Sequence, residues 1–387
     1  MLNFRRNFLK KIIDILIKAR FTFFKPKNKK IVILDPAVSK PIEDLFFRLD
    51  YFYLYSRNEE INLFVLLKAL INYKKNKNLS FNQVYILTYL NYLEPKIIIN
   101  VTDYNIFFLN LKKYFPEAKL ILIQQAWFAV DTFQKILKNK RKFSMSKFKV
   151  DYACLYGRNT SLFYSKFMKT KYLVTGSVKN NNFSIKKSND KSIVFISQFR
   201  MHINYNFKKN TFNNISDENL FYRHLNKYCK KYNKRLFVLS CQTEQKLEEE
   251  YFNRNLGTDN FVFISKSNWK DTYINSEDFN YFVTSSSTLG YELMAKGKRV
   301  AFVFLKKFFN WKFENIKSSF FAIKDEGFFW TKSEVYEKFE KTLNNAFFCS
   351  VLRHRLNIKK YINPYVVYDK GNKKFINFIT RLNNREL

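Results

Sequence analysis

The sequence predicts an α/β protein with two successive domains, each built around a parallel sheet. Three observations indicate this fold. Short apolar runs of strand length recur from Lys30 onward, amphipathic segments separate most of them, and the polar stretch VKNNNFSIKKSNDK at 178–191 divides the series in two. Apolar strands that alternate with helices are typical of parallel sheets covered on both faces. A polar stretch without apolar periodicity favours a linker.

The first series of elements precedes the polar stretch. Its apolar runs predict strands at 30–35, 51–55, 96–101, 119–124, 150–156 and 171–175. Segments with apolar residues at helical spacing lie between them, and they predict helices at 60–74, 81–93, 104–115, 131–139 and 159–169.

The second series follows the polar stretch. It predicts strands at 192–196, 234–239, 260–264, 280–284 and 299–304, with helices near 217–232, 244–255, 268–275 and 288–297. Three more segments, 332–345, 347–360 and 371–385, have helical periodicity.

These elements give a domain plan for the whole chain. It consists of a basic amphipathic segment at 1–28, a Rossmann-like domain at 29–178, a linker at 179–191, a second Rossmann-like domain at 192–360 and a helical segment at 361–387. Open parallel sheets bind ligands at the carboxyl ends of their strands, so we expect a ligand cleft between the two domains.

Composition narrows the classes of partner. The chain is 47% apolar and 19% aromatic, enough for sizeable cores, and its net charge is +37. It contains no zinc-finger spacing and no RRM, KH or basic-zipper pattern, so nucleic acid is an unlikely partner. The charge favours other anions, such as nucleotide phosphates or an acidic membrane face.

The sequence does not indicate a metal site or disulfide bonds. Four cysteines are widely spaced without a CxxC pair, the three histidines show no ligand spacing, and no D-x-D lies between strands. We expect buried free thiols in a reducing cytoplasm, no catalytic metal and no cofactor.

The N-terminus is strongly basic. Residues 1–30 hold ten Lys and Arg against one Asp, and Phe4, Phe8, Ile12 and Ile15 share one helical face. The apolar run is too short to span a membrane, and no secretory signal is evident. Two interpretations stay open: a helix lying on the inner face of the cell membrane, or a helix docked on its own domain.

The stretch TSSSTLGYELMAKGKRVAF at 284–302 is the main candidate site. An apolar strand leads into Ser285, Ser286 and Ser287, and a helix is expected to start at Thr288. Hydroxyl side chains cap the free N–H groups of a helix start, and the helix dipole attracts phosphate there. A glycine at position 290, one turn into the helix, lets a ligand or a neighbouring strand approach closely.

This stretch carries a family resemblance. It is similar to the donor-site segment of GT-B-fold sugar-nucleotide enzymes, and aligns without gaps with the T-D-S-G-G-x-x-E-E segment of UDP-N-acetylglucosamine 2-epimerases. It more closely resembles bacterial surface polysaccharide biosynthesis proteins, where S-T-L-G-Y-E followed by G-K-x-V is typical. The segments LILIQQAW, VDYACLYGRNTSLFYSKF, VTGSVKNN, IVFISQFR and EGFFW resemble the same group.

The resemblance implies roles for individual residues. Ser286, Ser287 and Thr288 would meet the donor diphosphate, and Glu292 would accept hydrogen bonds from ribose hydroxyls. Arg200, in FISQFR, would offer a positive charge to the phosphates.

Two positions in the first domain bear on the reaction. Asp103 keeps an acid that the 2-epimerases carry, whereas Gln125 stands where they have a catalytic glutamate. Glutamine cannot transfer protons as a glutamate does, so the change favours sugar transfer over epimerisation and leaves Gln125 as a substrate-binding position. Asp103 is then the candidate general base, although an aspartate at this place also suits a helix cap.

The resulting prediction is a GT-B-like, metal-independent glycosyltransferase of bacterial surface polysaccharide synthesis. It would move a sugar from a nucleotide-sugar donor to a glycan or lipid-linked acceptor. Two alternatives remain open: a sugar-nucleotide 2-epimerase or hydrolase, and a non-catalytic, membrane-associated binding protein of glycan assembly.

Overall fold

The structure is a computed structural model that describes residues 19–35, 42, 45–46, 49–55, 59–76, 78–102, 105–126, 148–165, 168–184, 189–207, 209–213, 215–241, 245–304 and 325–385. The chain divides into two compact units. Unit 1 comprises Met1–Leu155, Tyr164–Leu173 and Ile376–Leu387, and unit 2 comprises Tyr156–Phe163 and Val174–Phe375. The predicted helix at 131–139 lies outside the described residues.

Unit 1 is built on a six-stranded sheet. The strands in this part of the chain are β1 Arg20–Thr22, β2 Ile31–Leu34, β3 Tyr51–Leu54, β4 Glu60–Asn62, β5 Ile97–Asn100, β6 Lys119–Ile123, β7 Lys149–Leu155 and β8 Lys169–Val174. The sheet order is β3-β2-β5-β6-β7-β8, and the pairs from β3 to β7 are parallel. Strands β1 and β4 form a separate parallel pair. The apolar runs become strands because the sheet buries them on both faces, as it does β2 and β5.

Unit 2 contains a second six-stranded sheet, and every pairing in it is parallel. The strands of this part of the chain are β9 Asn189–Ile196, β10 Tyr205–Asn206, β11 Thr211–Phe212, β12 Arg235–Leu239, β13 Val262–Ile264, β14 Phe279–Thr284, β15 Arg299–Val303 and β16 Trp330–Thr331. The sheet order is β13-β12-β9-β14-β15-β16, while β10 and β11 form a small hairpin.

The described α-helices alternate with these strands. In chain order they are α1 Leu63–Lys75, α2 Phe81–Leu93, α3 Ile106–Leu109, α4 Arg158–Tyr164, α5 Val178–Asn181, α6 Met201–Asn204, α7 Ser216–Lys231, α8 Lys246–Leu256, α9 Trp269–Glu277, α10 Thr288–Ala295, α11 Tyr336–Phe348, α12 Val351–Asn357 and α13 Lys373–Arg385. Short 3₁₀ or π turns cover Leu111–Lys113, Thr258–Asn260, Ile358–Ile362 and Lys370–Asn372.

The predicted fold class, two parallel-sheet domains of α/β type, is confirmed. Strand β14 runs directly into α10, as the sequence indicates for 280–284 and 288–297. Helix α2 begins and ends at the predicted residues. Ser80 and Gln83 form a capping box that stabilises its start.

The structure differs from the predicted linker at 179–191. Helix α5 begins at Val178 and β9 begins at Asn189, so both ends of the polar stretch are regular structure. Asn180 and Asn181 are buried, because Asn180 Nδ2 donates to the Glu292 carbonyl at 2.9 Å and Asn181 Nδ2 donates to the Thr175 carbonyl at 2.9 Å. The first polar residues of this stretch are therefore buried and hydrogen-bonded rather than part of an open linker.

Other elements also differ from the sequence prediction. Residues 60–62, expected at the start of the helix at 60–74, form strand β4. The helix expected at 104–115 is broken at Asn110 into α3 and a 3₁₀ turn, Leu111–Lys113. Strand β16, which closes one edge of the unit 2 sheet, has only two residues, too few for a periodic signal.

Candidate functional site

The strand order of unit 2 marks one position where a ligand fits. From β9 the chain adds β12 and β13 on one side of the sheet, and then β14, β15 and β16 on the other. This is the 3-2-1-4-5-6 order of doubly wound sheets, which bind ligands where the order reverses. In unit 2 that place is the pair of loops that follow β9 and β14.

The loop after β14 supplies a hydroxyl-rich helix start. Ser285, Ser286 and Ser287 follow the strand, and α10 begins at Thr288. The backbone N–H of Ser287 donates to Thr284 Oγ1 at 3.3 Å. The first N–H groups of a helix have no acceptor one turn earlier in the helix, so the positive end of the α10 dipole lies at this turn.

The loop after β9 lies directly beside it. The Ser286 N–H donates to Gln198 Oε1 at 2.8 Å, and Gln198 Nε2 donates to Ser286 Oγ at 3.0 Å. Two residues later, Arg200 is exposed, and its backbone N–H donates to Asn204 Oδ1 at 2.8 Å. The structure therefore brings Arg200 and the serine turn, both predicted from sequence, onto adjacent loops.

A buried carboxylate, Glu248 of α8, holds the ends of β9 and β12 together. Ser197 donates its hydroxyl to Glu248 Oε1, Ser240 donates to Oε2 at 2.7 Å, and the Cys241 N–H donates to Oε1 at 3.0 Å. Ser197 Oγ also accepts the Phe199 N–H at 3.2 Å. The carboxylate thus fixes the backbone of the loop that carries Gln198 and Arg200.

A second cation, Lys266, reaches the same edge from β13. Its ammonium donates to the Cys241 carbonyl at 2.7 Å. Burial lowers the pKa of Lys266. Cys241 and Glu248 act against that fall, and the positive charge of Arg200 adds to it. Sequence reasoning missed Lys266, although a signal exists: Val-Phe-Ile-Ser occurs both at 194–197, before Arg200, and at 262–265, before Lys266.

Glu292 of α10 is enclosed. Ser177 donates its hydroxyl to Oε1 and Tyr273 donates to Oε2 at 2.9 Å, while only 2% of the residue is exposed. Burial raises the pKa of the carboxyl, and the hydrogen bonds from Ser177, Tyr273 and Tyr156 act against that rise. The structure therefore shows this carboxylate inside a cluster of hydroxyl groups, and its predicted bonds to a ribose stay a prediction.

The two glycines of this stretch have structural explanations, one in packing and one in backbone conformation. A Cβ on Gly290 would lie 2.6 Å from Thr284 Cγ2 and 3.3 Å from the Phe302 ring, so α10 packs closely on β14 and β15 only because the side chain is absent. Gly297 follows the helix with a φ of +104°, a left-handed conformation that favours glycine. The sequence left open whether a ligand or a neighbouring strand approaches Gly290 closely, and the structure shows a neighbouring strand there.

Unit 1 contains the remaining predicted residues. Asp103 lies outside the described residues. Gln125 is half-buried in the loop after β6. The order of this sheet reverses between β2 and β5, where Asp35 is buried with a φ of +56°. Left-handed backbone is uncommon outside glycine and clusters at functional sites. Sequence reasoning missed Asp35, an acid that directly follows the buried strand IVIL.

Two absences hold for the described part of the chain. Within those ranges, no cluster of His, Cys, Asp and Glu side chains could hold a metal ion. No helix in the same ranges has the length and apolar character needed to cross a membrane. Of the basic amphipathic segment expected at 1–28, residues 1–18 lie outside the described ranges, and Arg20–Thr22 form strand β1 rather than a helix.

A protein-family profile described as a putative O-antigen biosynthesis protein matches residues 121–383. The match covers most of the chain, including all of the unit 2 sheet and both loops at its switch point. No curated protein matches this chain.

Solved structures share the fold at low sequence identity. S. aureus MnaA, solved with UDP, is 13% identical with a TM-score of 0.53, over 92% of this chain and 97% of that one. The wall teichoic acid polymerase TagF is 12% identical with a TM-score of 0.51, over 100% and 98% of the two chains. The Methanocaldococcus jannaschii UDP-GlcNAc 2-epimerase, solved with UDP-GlcNAc and UDP, is 12% identical with a TM-score of 0.52, over 92% and 99%. These similarities establish a GT-B-like fold.

Proposed function

The chain belongs to the O-antigen biosynthesis protein family, and from this premise we propose that it is a glycosyltransferase. It would transfer a sugar from a nucleotide-sugar donor to a glycan or lipid-linked acceptor in bacterial surface polysaccharide synthesis. The observation that carries the proposal is the hydrogen-bonded pair Gln198 and Ser286 at the switch point of the unit 2 sheet. This pair joins a helix start to a cation-bearing loop, a combination suited to a diphosphate.

The charges at this edge support an anionic donor. Arg200 is exposed beside the serine turn, and Lys266 lies close enough to be influenced by the arginine's charge. Two like charges held near each other are stabilised when an anion binds between them. The same groups would stabilise the charge of a leaving nucleoside diphosphate, so the proposed transfer needs no metal ion.

The substrate class is supported by proteins of the same fold. MnaA was solved with UDP, and the M. jannaschii epimerase with UDP-GlcNAc and UDP. For this chain we propose only the substrate class, a nucleotide-sugar, and not a particular nucleotide or sugar.

The chemistry proposed for unit 1 rests on Asp103 as general base. In an inverting transfer, a carboxylate removes the acceptor proton while the sugar leaves the diphosphate. Epimerases also share this fold, which makes epimerisation the second candidate. Gln125 favours transfer, because the resemblance places a catalytic glutamate there in the 2-epimerases.

A thermal-shift panel of UDP-, GDP-, CMP- and CDP-sugars tests donor binding. A ligand present at a hundred times its Kd stabilises the folded protein by about 2.7 kcal/mol, so a true donor raises the melting temperature measurably. Arg200→Gln should abolish the shift, whereas Arg223→Gln, an exposed arginine on α7, should retain it. A panel without any shift would contradict the proposal.

Product analysis then separates the candidate functions. A transferase consumes donor only when acceptor is present, an epimerase alters the sugar without acceptor, and a binding protein does neither. Asp103→Asn should leave the thermal shift unchanged while lowering turnover by about a hundredfold or more. Full turnover in this variant would show that Asp103 acts as a helix cap and that another residue is the general base.

A further inference from the structure

Helix α1 of unit 1 carries apolar side chains on its outer face. Val65 and Ala69 are buried, whereas Leu67, Leu70 and Ile71 are 63%, 49% and 58% exposed. Positions 67, 70 and 71 share one side of a helix, since residues three and four apart are neighbours. A surface helix normally faces its apolar stripe inward, so this one presents a second stripe that the described residues of the unit leave exposed.

Two exposed aromatic residues also lie near the start of α1. Phe23 and Phe24 follow β1, and Phe24 is 87% exposed. Asn62, the N-cap of α1, donates through Nδ2 to the Phe24 carbonyl at 2.9 Å. The backbone of Phe24 is therefore fixed against the helix start while its ring remains in solvent.

The rim of this surface is positively charged. Lys68, Lys74 and Lys75 are exposed on α1. Residues 61–93, which include all of α1 and α2, contain no Asp or Glu. We call Phe24, Leu67, Leu70, Ile71, Lys68 and Lys74 the α1 surface. Single exposed apolar residues are normal, but several on one face of a helix, with a polar rim, mark an interaction site.

Bulky apolar side chains beside lysines favour an anionic lipid surface over a second copy of this chain as the partner. A second copy related by a two-fold axis would bring the same lysines towards each other, in a chain whose net charge is already +37. An acidic lipid surface instead offers anionic headgroups for Lys68 and Lys74, with an apolar layer for Leu67 and Ile71 beneath them. We propose that the α1 surface docks this chain on an anionic lipid bilayer. The inference concerns unit 1 and does not depend on the donor proposed for unit 2.

Vesicle flotation of the full chain tests the proposal. Vesicles of phosphatidylcholine alone are compared with vesicles that also contain phosphatidylglycerol. The wild-type chain should float with the anionic vesicles, and Leu67→Ser/Ile71→Ser should weaken that binding by at least about tenfold, because two inserted aliphatic side chains are lost. Ile274→Ser, which removes an isolated exposed side chain on α9, should bind like wild type. Unchanged melting temperatures would show that all variants are folded.

A second variant separates charge from apolar contact. Lys68→Ser/Lys74→Ser keeps the stripe and should reduce the preference for anionic over neutral vesicles. Equal binding of wild type and Leu67→Ser/Ile71→Ser would overturn the proposal, as would equal binding to both vesicle types. A wild-type dimer that the apolar double variant converts to a monomer, without vesicle binding, would also overturn it and assign the surface to self-association.

Discussion

Gln198 and Ser286 exchange two hydrogen bonds across the switch point of the unit 2 sheet. The Ser286 N–H donates to Gln198 Oε1 at 2.8 Å, and Gln198 Nε2 donates to Ser286 Oγ at 3.0 Å. The two residues lie 88 positions apart in the chain, on loops that follow adjacent parallel strands. This pair couples the cation-bearing loop to the helix start, so its integrity should matter to donor binding.

Gln198→Glu tests that coupling. The variant keeps an acceptor for the Ser286 N–H, loses the donor to Ser286 Oγ, and adds a negative charge beside the proposed diphosphate site. We expect the Kd of the nucleotide-sugar found in the thermal-shift panel to rise by at least about tenfold, as measured by calorimetric titration. Gln83→Glu, which preserves the capping box of α2, is the matched control. Equal affinities in the two variants would show that the pair does not shape the site.

Glu248→Gln tests the buried carboxylate that fixes the loop after β9. Glutamine can accept on only one side-chain atom, so at least one of the three donors from Ser197, Ser240 and Cys241 would lose its acceptor. We expect the free energy of unfolding in urea to fall by roughly 1–3 kcal/mol, the cost of a buried unsatisfied donor. Glu249→Gln changes the exposed neighbour and should be near neutral. A loss in Glu248→Gln no larger than in this control would contradict the assignment.

Gly290→Ala sets helix propensity against packing. Alanine in place of a mid-helix glycine gains about 1 kcal/mol from propensity alone. The added Cβ would lie 2.6 Å from Thr284 Cγ2, and such overpacking costs roughly 1–3 kcal/mol. We therefore expect net destabilisation in urea unfolding.

Thr284→Ser removes that Cγ2 and retains the hydroxyl that accepts the Ser287 N–H. In the double variant the clash is relieved, so Gly290→Ala should cost less, by about 0.5 kcal/mol or more, in the Thr284→Ser background than in the wild type. Equal costs in both backgrounds would place the strain at Phe302 instead.

Glu292→Gln should change how stability depends on pH. Burial raises the pKa of this carboxyl above its ordinary value of 4.5, so the folded protein holds the proton more tightly than the unfolded chain. The contribution of the group to stability is fully present below pH 4.5 and is lost as the pH rises through the raised pKa. Glutamine does not titrate, so the free energy of unfolding of the variant should improve relative to wild type across that rise.

Urea unfolding at a series of pH values measures this difference, with the exposed Glu250→Gln as control. A difference independent of pH would show that the carboxyl titrates normally. Donor titration of the same variant tests the ribose role: a charged hydrogen bond to the sugar predicts an affinity loss of roughly 1.5–3 kcal/mol. Unchanged affinity would confine Glu292 to its contacts with Ser177 and Tyr273.

The sequence predicted those parts of the fold whose signal is local. Continuous apolar runs identified all the inner strands of both sheets, and apolar residues at helical spacing identified α2 with its observed bounds. The serine turn could also be predicted, since a strand, hydroxyl residues and a helix start follow one another directly in the sequence. Strand β16 was missed because two residues have no period.

Other parts of the site depend on contacts distant in sequence. Glu248 stands in the run KLEEEYF, which reads as a solvated helix face. Its partners Ser197 and Ser240 lie 51 and 8 positions away, and only the parallel order of β9 and β12 brings them to it. Similarly, the partners that enclose Glu292, Ser177 and Tyr273, lie 115 and 19 positions away in the chain, so no local pattern indicates them.

The C-terminal helix α13 has a consequence for the order in which the chain folds during synthesis. Its residues 376–385 belong to unit 1, where the Phe378 ring contacts that of Tyr152 at 4.8 Å and Lys30 Nζ donates to the Asn383 carbonyl at 2.7 Å. Domains generally fold in the order in which the ribosome releases them, amino-terminal first. Here the sheet that emerges first cannot acquire its last helix until the whole of unit 2 has emerged. Until then the Tyr152 ring lacks its contact with Phe378 in the nascent chain, so we expect chaperones that act during translation to bind unit 1.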